Sequence, residues 1–339
     1  MNATGRVPVV TLTGHLGAGK TTLLNHLLQQ PGARVGVIVN DFGDVNVDAG
    51  LVTGQIDEPA SIAGGCLCCL PDAGGLDDAL EKLTHPRLGL DVVLVEASGI
   101  ADPLTLSRMI RFSGVERVRP GGVVDVVDAV EHFGTVDDGG DVPARYAVTS
   151  LVVVNKTDRL PAGEAERTLE RIEARVHERN PAAQVVRTSY GRVDPALVYD
   201  AASAEDPPDQ LPLAALLRDG REHDHEHADA VTVTATGPVG PGRLIDLLEQ
   251  PPAGAYRMKG RVAVDTGRSL RGYVVNVVGR SVHVASRRVD GDGAGELVAI
   301  GMHLDVAHVR ERLAHALAPS AGSDARGFAR LQRYRRLSD

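Results

Sequence analysis

Gly14-His15-Leu16-Gly17-Ala18-Gly19-Lys20-Thr21 fills every fixed position of the pattern G-x-x-x-x-G-K-[ST]. The octet follows an apolar, β-branched run from Val7 to Leu12. It opens a second run with Leu23, Leu24, Leu27 and Leu28 at helical spacing. A chain built this way must fold as strand, tight glycine turn and helix. The glycines let consecutive backbone N–H groups curl toward one point, which suits phosphate oxygens. The helix adds its positive dipole end. On this reading Gly14, Gly17, Ala18, Gly19, Lys20, Thr21 and Thr22 line a phosphate site. Lys20 reaches the terminal phosphates, and the Thr21 hydroxyl is a ligand for Mg2+. A glycine-rich turn with a surface lysine is the alternative, and the motifs that follow argue against it.

Lysine usage sharpens the point. The chain has four lysines, Lys20, Lys82, Lys156 and Lys259, among 36 Lys and Arg residues. A lysine kept in so arginine-rich a chain suggests a specific task, because the two cations differ in shape and hydration. Two of the four fall in nucleotide motifs.

At 339 residues the chain suits two domains with separate cores. It has no Trp and only 3% aromatic residues, so those cores rest on Val, Leu, Ile and Ala. The net charge of −9 speaks against a nucleic-acid binder. No apolar run approaches the roughly 20 residues of a membrane span, and Met1 to Arg6 lacks the pattern of a signal peptide. The three cysteines sit within four positions, Cys66 to Cys69. That rules out a disulfide framework, and the expected compartment is the reducing cytoplasm.

Val35 to Asn40 reads as a second buried strand. The acidic stretch Asp41 to Asp48 follows, where a nucleotide-sensing loop belongs, with Asp41 at the strand's carboxyl end. Gly64-Gly65-Cys66-Leu67-Cys68-Cys69 comes next. Three thiols this close suit a thiophilic ion: Zn2+ with an open fourth position, or Cu(I). Asp41, Asp44 and His15 are candidates for that position. Buried small residues, a redox pair or a structural metal site are the other readings.

Leu76 to Leu83 is helical in pattern. Leu90 to Glu96 is a buried strand that delivers a carboxylate, followed by Ala97-Ser98-Gly99. This suits a magnesium-holding strand beside the phosphate loop, with Glu96 acting directly or through water. Gly99 lets a backbone N–H approach the last phosphate. Gly122 to Asp128 and Leu151 to Val154 are further strands. The second runs into Asn155-Lys156-Thr157-Asp158. There the Asp158 carboxylate accepts from the guanine N1–H and exocyclic amine, a donor pair that adenine lacks. The Lys156 stem lies on the base and Asn155 fixes the loop. Gln184 to Ser189 is a last strand whose end reaches toward the base.

The first 205 residues thus alternate strand and helix, which predicts a mostly parallel sheet covered on both faces. Residues 206–229 form a linker carrying His223, His225 and His227, either a loose metal site or a solvated polar tract. Residues 230–318 read as a small α+β domain of mainly antiparallel strands. Residues 319–339 are an Arg-rich tail, with Arg326, Arg330, Arg333, Arg335 and Arg336 on a solvated helix face or frayed end.

These motifs carry a resemblance. The chain resembles the CobW-type GTPases, a P-loop family that includes zinc and cobalt chaperones. The likeness rests on GHLGAGKTT (Gly14–Thr22), NDFGDVNVD (Asn40–Asp48), GGCLCC (Gly64–Cys69), EASGIADP (Glu96–Pro103) and NKTD (Asn155–Asp158). Tyr256 to Gly260 and Ala299 to Gly301 are similar to the family's C-terminal domain. The chain departs from the family at His15, usually aromatic, at Asp41 and Asp44, usually Glu, and at Gly64, usually Asn.

The resemblance implies a P-loop NTPase domain followed by a small CobW C-terminal-like α+β domain. It implies a slow GTPase using Lys20, Glu96 and Asp41, with GTP and Mg2+ as cofactors. Zn2+, or Co2+ in its place, would pass through Cys66, Cys68 and Cys69 to a client metalloprotein. A regulatory or assembly GTPase with a structural cysteine site is the alternative. No membrane or nucleic acid is expected as a partner, and a homo-oligomer stays open.

Overall fold

The structure, a computed structural model, describes residues 6–30, 33–39, 60–61, 74–97, 103–199, 226–289, 293–320, 322 and 324–338. These residues divide into two compact units, the first made of residues 6–181 and 185–227 and the second of residues 228–338 together with 182–184.

The first unit carries a seven-stranded sheet. Its strands are β1 (Val7–Gly14), β2 (Val35–Val39), β3 (Ala60–Ser61), β4 (Val92–Glu96), β5 (Val118–Asp128), β6 (Leu151–Asn155) and β7 (Gln184–Arg187). The order across the sheet is β3-β2-β4-β1-β5-β6-β7. β1 pairs in parallel with β4 and β5, β2 with β3 and β4, and β5 with β6. Every residue of β1, β4 and β6 is buried, which explains their unbroken apolar runs. The expected α/β class with a mostly parallel sheet is what forms.

Helices cover the sheet. They are α1 (Lys20–Leu28), α2 (Gly74–Leu83), α3 (Pro103–Arg111), α4 (His132–Thr135), α5 (Ala165–Arg179) and α6 (Pro195–Val198). α5 buries Leu169, Ile172 and Val176, one stripe at three- and four-residue steps. Leu76, Leu80, Leu106 and Ile110 of α2 and α3 share a core with Ile38, Val93 and Val95 of the sheet. The chain leaves β4 and crosses over β1 to begin β5. Strand order therefore reverses around β1, and ligands of open α/β sheets bind beyond the carboxyl ends of strands at such a point.

The second unit holds β8 (Asp229–Ala235), β9 (Ala255–Asp265), β10 (Leu270–Val278), β11 (Ser281–Arg287) and β12 (Gly295–Gly301). They form a sheet in the order β11-β10-β9-β12-β8, and each of the pairs β10–β11, β10–β9, β12–β8 and β12–β9 is antiparallel. Three helices accompany it: α7 (Pro241–Glu249), α8 (Val306–Leu317) and α9 (Ala325–Ser338). Proline opens α7, where a missing N–H costs nothing. Asp305 caps α8 by accepting from the His308 N–H at 3.0 Å. Val231, Val262, Tyr273, Val275 and Leu297 of the sheet share one core with Leu244, Leu248, Val309, Leu313 and Leu331 of the helices.

The Arg-rich tail is therefore a packed helix rather than a frayed end. Leu331 is fully buried, and Gly327 backs onto Gly242 so closely that a Cβ would fall 2.5 Å from the Gly242 Cα. Arg330 is tied to Asp246 and Glu249 of α7. Arg326, Arg333 and Arg336 do face solvent.

Candidate functional site

β1 ends at Gly14, and the chain turns there with Ala18 N–H donating to the His15 carbonyl at 3.1 Å. Gly19, φ +106°, hands the chain to α1. A Cβ at Gly19 would sit 2.3 Å from Asn155 Nδ2, so the turn needs glycine both for its backbone and for its neighbour. α1 begins without a side-chain cap and without an acid in its first turn. The positive end of the helix dipole therefore lies at the loop, an arrangement that receives an anion. The Lys20 side chain is buried and its Nζ donates to the carbonyls of Gly14 at 3.1 Å and His15 at 3.4 Å. The ammonium is thereby held over the loop. Thr22 is exposed at the start of the helix.

Register brings the carboxylate. Glu96 pairs with Leu12, two residues before Gly14, so β4 ends beside the loop. Thr21 Oγ1 donates to Glu96 Oε1 at 3.3 Å. A hydroxyl and a carboxylate in contact at a phosphate loop make a donor set that fits Mg2+.

β6 delivers the third part. Asn155 is buried, and its Nδ2 donates to the Ala18 carbonyl at 3.0 Å while its Oδ1 accepts from the Gly191 N–H at 2.9 Å. Lys156 adopts φ +63°, and its Nζ pairs with Asp128 Oδ2 at 2.6 Å. Burial pushes the Asp128 carboxyl up, but the Lys156 bond and the Val130 and Glu131 amides outweigh it and hold it below the usual range. The Thr157 hydroxyl is bonded to Ser189 Oγ at 3.0 Å and to the Thr188 carbonyl at 3.1 Å. The Asp158 carboxylate is exposed, beside this anchored turn. The site thus presents a phosphate-shaped loop, a Thr–Glu pair and a free-standing acid along one edge of the sheet.

Two partners in this assembly carried no role in the sequence reading. Asp125 is fully buried on β5, accepting from Thr13 Oγ1 at 2.9 Å and from Arg145 Nε and Nη2 at 2.8 and 2.7 Å. Asp128 holds Lys156. The signal for Asp125 was present: an acid inside the apolar run Val123–Val127 must be paired, because a lone buried charge is too costly.

Asp41, Gly99, Cys66, Cys68, Cys69, His223 and His225 lie outside the described residues. His227 is described, with Nδ1 3.5 Å from Asp194 Oδ2. Among the described residues no three His, Cys, Asp or Glu side chains gather closely enough to hold a metal ion. None of their helices is long and apolar enough to cross a membrane.

The model of the CobW/HypB/UreG nucleotide-binding domain matches residues 8–187. The chain belongs to the CobW/HypB/UreG family. The model of the cobalamin synthesis protein cobW C-terminal domain matches residues 228–317, so this member carries the CobW form of the second unit. It is 30% identical over 369 residues to the zinc chaperone CobW of Pseudomonas aeruginosa, covering 94% of this chain and 93% of that protein. It is 34% identical over 202 residues to the zinc chaperone YjiA of Escherichia coli, a match spanning 57% of this chain and 61% of YjiA. The crystal structure of the Zn(II)-bound YjiA GTPase aligns over 93% of this chain and 99% of that one, with 23% identity and a TM-score of 0.43.

Proposed function

We propose that this protein is a GTP-binding, GTP-hydrolysing metal chaperone that hands Zn2+ to a client metalloprotein. The observation that carries the reading is the bond from Asn155 to Ala18, which ties the NKTD turn to the phosphate loop across 137 residues of sequence. One ligand can then engage both. Its phosphates would meet the loop and the α1 N-terminus, and its base the exposed Asp158. An Asp carboxylate at that place favours guanine, because adenine would leave it facing no donor pair.

Lys20 and the first N–H groups of α1 would stabilise the charge that builds on the transferring phosphoryl group. Thr21 and Glu96 would hold Mg2+, which when bound neutralises phosphate charge. Among the described residues no arginine or glutamine has a position that marks it as a transition-state partner or water-orienting group. Slow turnover is therefore the expectation.

Cys66, Cys68 and Cys69 would carry the metal. In the sequence they lie between β2 and α2, on the long connection that carries Asp41 near its start and is interrupted by the two-residue β3. A phosphate contact made by that connection would bear on the thiolates as well. The relatives named zinc chaperones support zinc as the cargo.

The test is Zn2+ affinity by chelator competition, with Mg2+ and a non-hydrolysable GTP analogue and then with GDP. The two affinities should differ by about tenfold or more (~1.4 kcal/mol), and changing the three cysteines to Ser should abolish the difference. Linkage requires zinc to shift nucleotide affinity by the same factor. Equal zinc affinity in both states would defeat the chaperone reading in favour of a regulatory GTPase with a structural cysteine site.

A further inference from the structure

The turn after β7 is fixed to the NKTD segment on both sides of one residue. Before it, Ser189 Oγ is 3.0 Å from Thr157 Oγ1 and accepts from the Asp158 N–H at 3.2 Å. After it, the Gly191 N–H donates to Asn155 Oδ1. Gly191 lies against α1 with φ +66°, where a Cβ would fall 2.8 Å from the Leu23 nitrogen. The residue pinned between these anchors is Tyr190.

Tyr190 is placed unlike the chain's other tyrosines. There are six in all. Tyr146, Tyr199, Tyr256 and Tyr273 are buried, and Tyr334 packs on the second unit's core. Tyr190 is 61% exposed. Its φ is +58°, a left-handed backbone that glycine and asparagine adopt far more readily than an aromatic residue. Fold packing explains neither feature well, since a glycine would make the same turn without the left-handed strain and lose only the smaller, buried part of the residue's surface. What the tyrosine adds is an aromatic ring on the residue that follows Ser189, whose Oγ accepts from the Asp158 N–H. The Arg192 guanidinium lies 5.7 Å from the ring centroid, within cation–π range, and steadies that ring.

We propose that Tyr190 forms one wall of the guanine pocket, stacking on the base whose edge Asp158 reads. The inference rests on the guanine-nucleotide reading above. Stacking is tolerant of base identity, so Tyr190 adds affinity while Asp158 adds selectivity.

The absence of tryptophan makes the test direct. Tyr190→Trp places a single indole in the protein, and GDP should quench its fluorescence by stacking. Tyr190→Ala and Tyr190→Gly should each weaken GDP binding about tenfold, from the usual size of base–aromatic stacking. Tyr190→Phe should restore most of that affinity. Tripolyphosphate, which has no base, should compete equally with wild type and with every variant. Tyr190→Gly also separates binding from folding, because it relieves the backbone and should not lower the urea midpoint. Unchanged GDP affinity in Tyr190→Ala and Tyr190→Gly, with no quenching of Tyr190→Trp, would overturn the stacking role while wild-type GDP binding stands. Failure of the wild type to bind GDP would overturn both this inference and the reading beneath it.

Discussion

The Asn155 side chain joins Ala18 to Gly191: its amide donates to one main chain at 3.0 Å and its carbonyl accepts from the other at 2.9 Å. A single buried amide therefore sets the distance between the phosphate loop and the turn that carries Tyr190. Both of its polar atoms are used, and both partners are main-chain groups that cannot move to find new ones cheaply. Asn155→Ala should cost about 1–3 kcal/mol, because it strands a buried carbonyl and a buried N–H. Urea unfolding of the first unit measures this. The same variant should weaken GDP binding more than a surface change of equal stability cost, since it frees the phosphate loop from the base side of the site.

Gly19 tests the loop from its other side. Gly19→Ala brings a Cβ to 2.3 Å from Asn155 Nδ2 and places alanine at φ +106°. Either the turn opens or the Asn155 bond breaks. Nucleotide affinity should fall at least tenfold, while far-UV circular dichroism stays that of the wild type. Binding of wild-type strength would show that the loop adapts and that the contact to Asn155 is dispensable.

Asp128 holds Lys156 at 2.6 Å. Asp128→Asn keeps the size and loses the charge, and it should cost about 1–2 kcal/mol, the scale of a hydrogen bond between charged groups. The sign of its pH dependence follows from the lowered carboxyl. The contribution is complete above the ordinary value of 3.8 and is lost as pH falls from there through the lower folded value. Wild type and Asp128→Asn should therefore converge in stability only in strong acid. A constant difference between them down to low pH would mean that the ion pair contributes nothing.

Much of this site was legible because its chemistry is local. The phosphate loop, the acid closing β4 and the NKTD turn each occupy a few consecutive residues, and backbone geometry forces those residue types. What stayed hidden depends on tertiary contact. Asp125 and Asp128 read as part of a strand, since nothing in sequence says that Arg145 and Lys156 will meet them. Tyr190 carries no sequence signal, because a tyrosine after a strand looks like any other until its backbone and exposure are known. Of the two alternatives for the Arg-rich tail, the helix with a solvated face is what forms as α9, and its packing stayed hidden for a related reason. Its buried stripe is short, Gly327 and Leu331, and the close approach of Gly242 and of the Asp324 carboxylate explains why glycine stands there.

That helix gives its own test. Leu331 is fully buried in the second unit's core, with Phe328 and Tyr334 packed beside it. Leu331→Ala should destabilise the second unit by about 2–4 kcal/mol, the usual cost of emptying a core leucine site. Arg333→Ala, an exposed position on the same helix, should change stability by less than about 0.5 kcal/mol. Equal, negligible effects of the two variants would return α9 to the status of an appended tail.

His132 supplies a pH test away from the nucleotide. Its ring is fully buried, with Nε2 3.5 Å from Tyr146 Oη and 3.9 Å from Asp137 Oδ2. Burial pushes its pKa down to about 4. The Asp137 carboxylate opposes that, and Arg145, Arg171 and Arg175 reinforce it. The folded protein therefore keeps His132 neutral, while the unfolded chain takes up a proton near the ordinary value of 6.5. Between those two values the unfolded state binds more protons, so stability must fall as pH falls. The loss should approach about 3 kcal/mol at most across that window. His132→Gln removes the titrating group, so its stability should vary less between pH 6.5 and 4 than that of the wild type, even though its stability at neutral pH is lower. Parallel pH profiles for the two proteins would show that other groups, not the buried imidazole, carry the acid sensitivity of this unit.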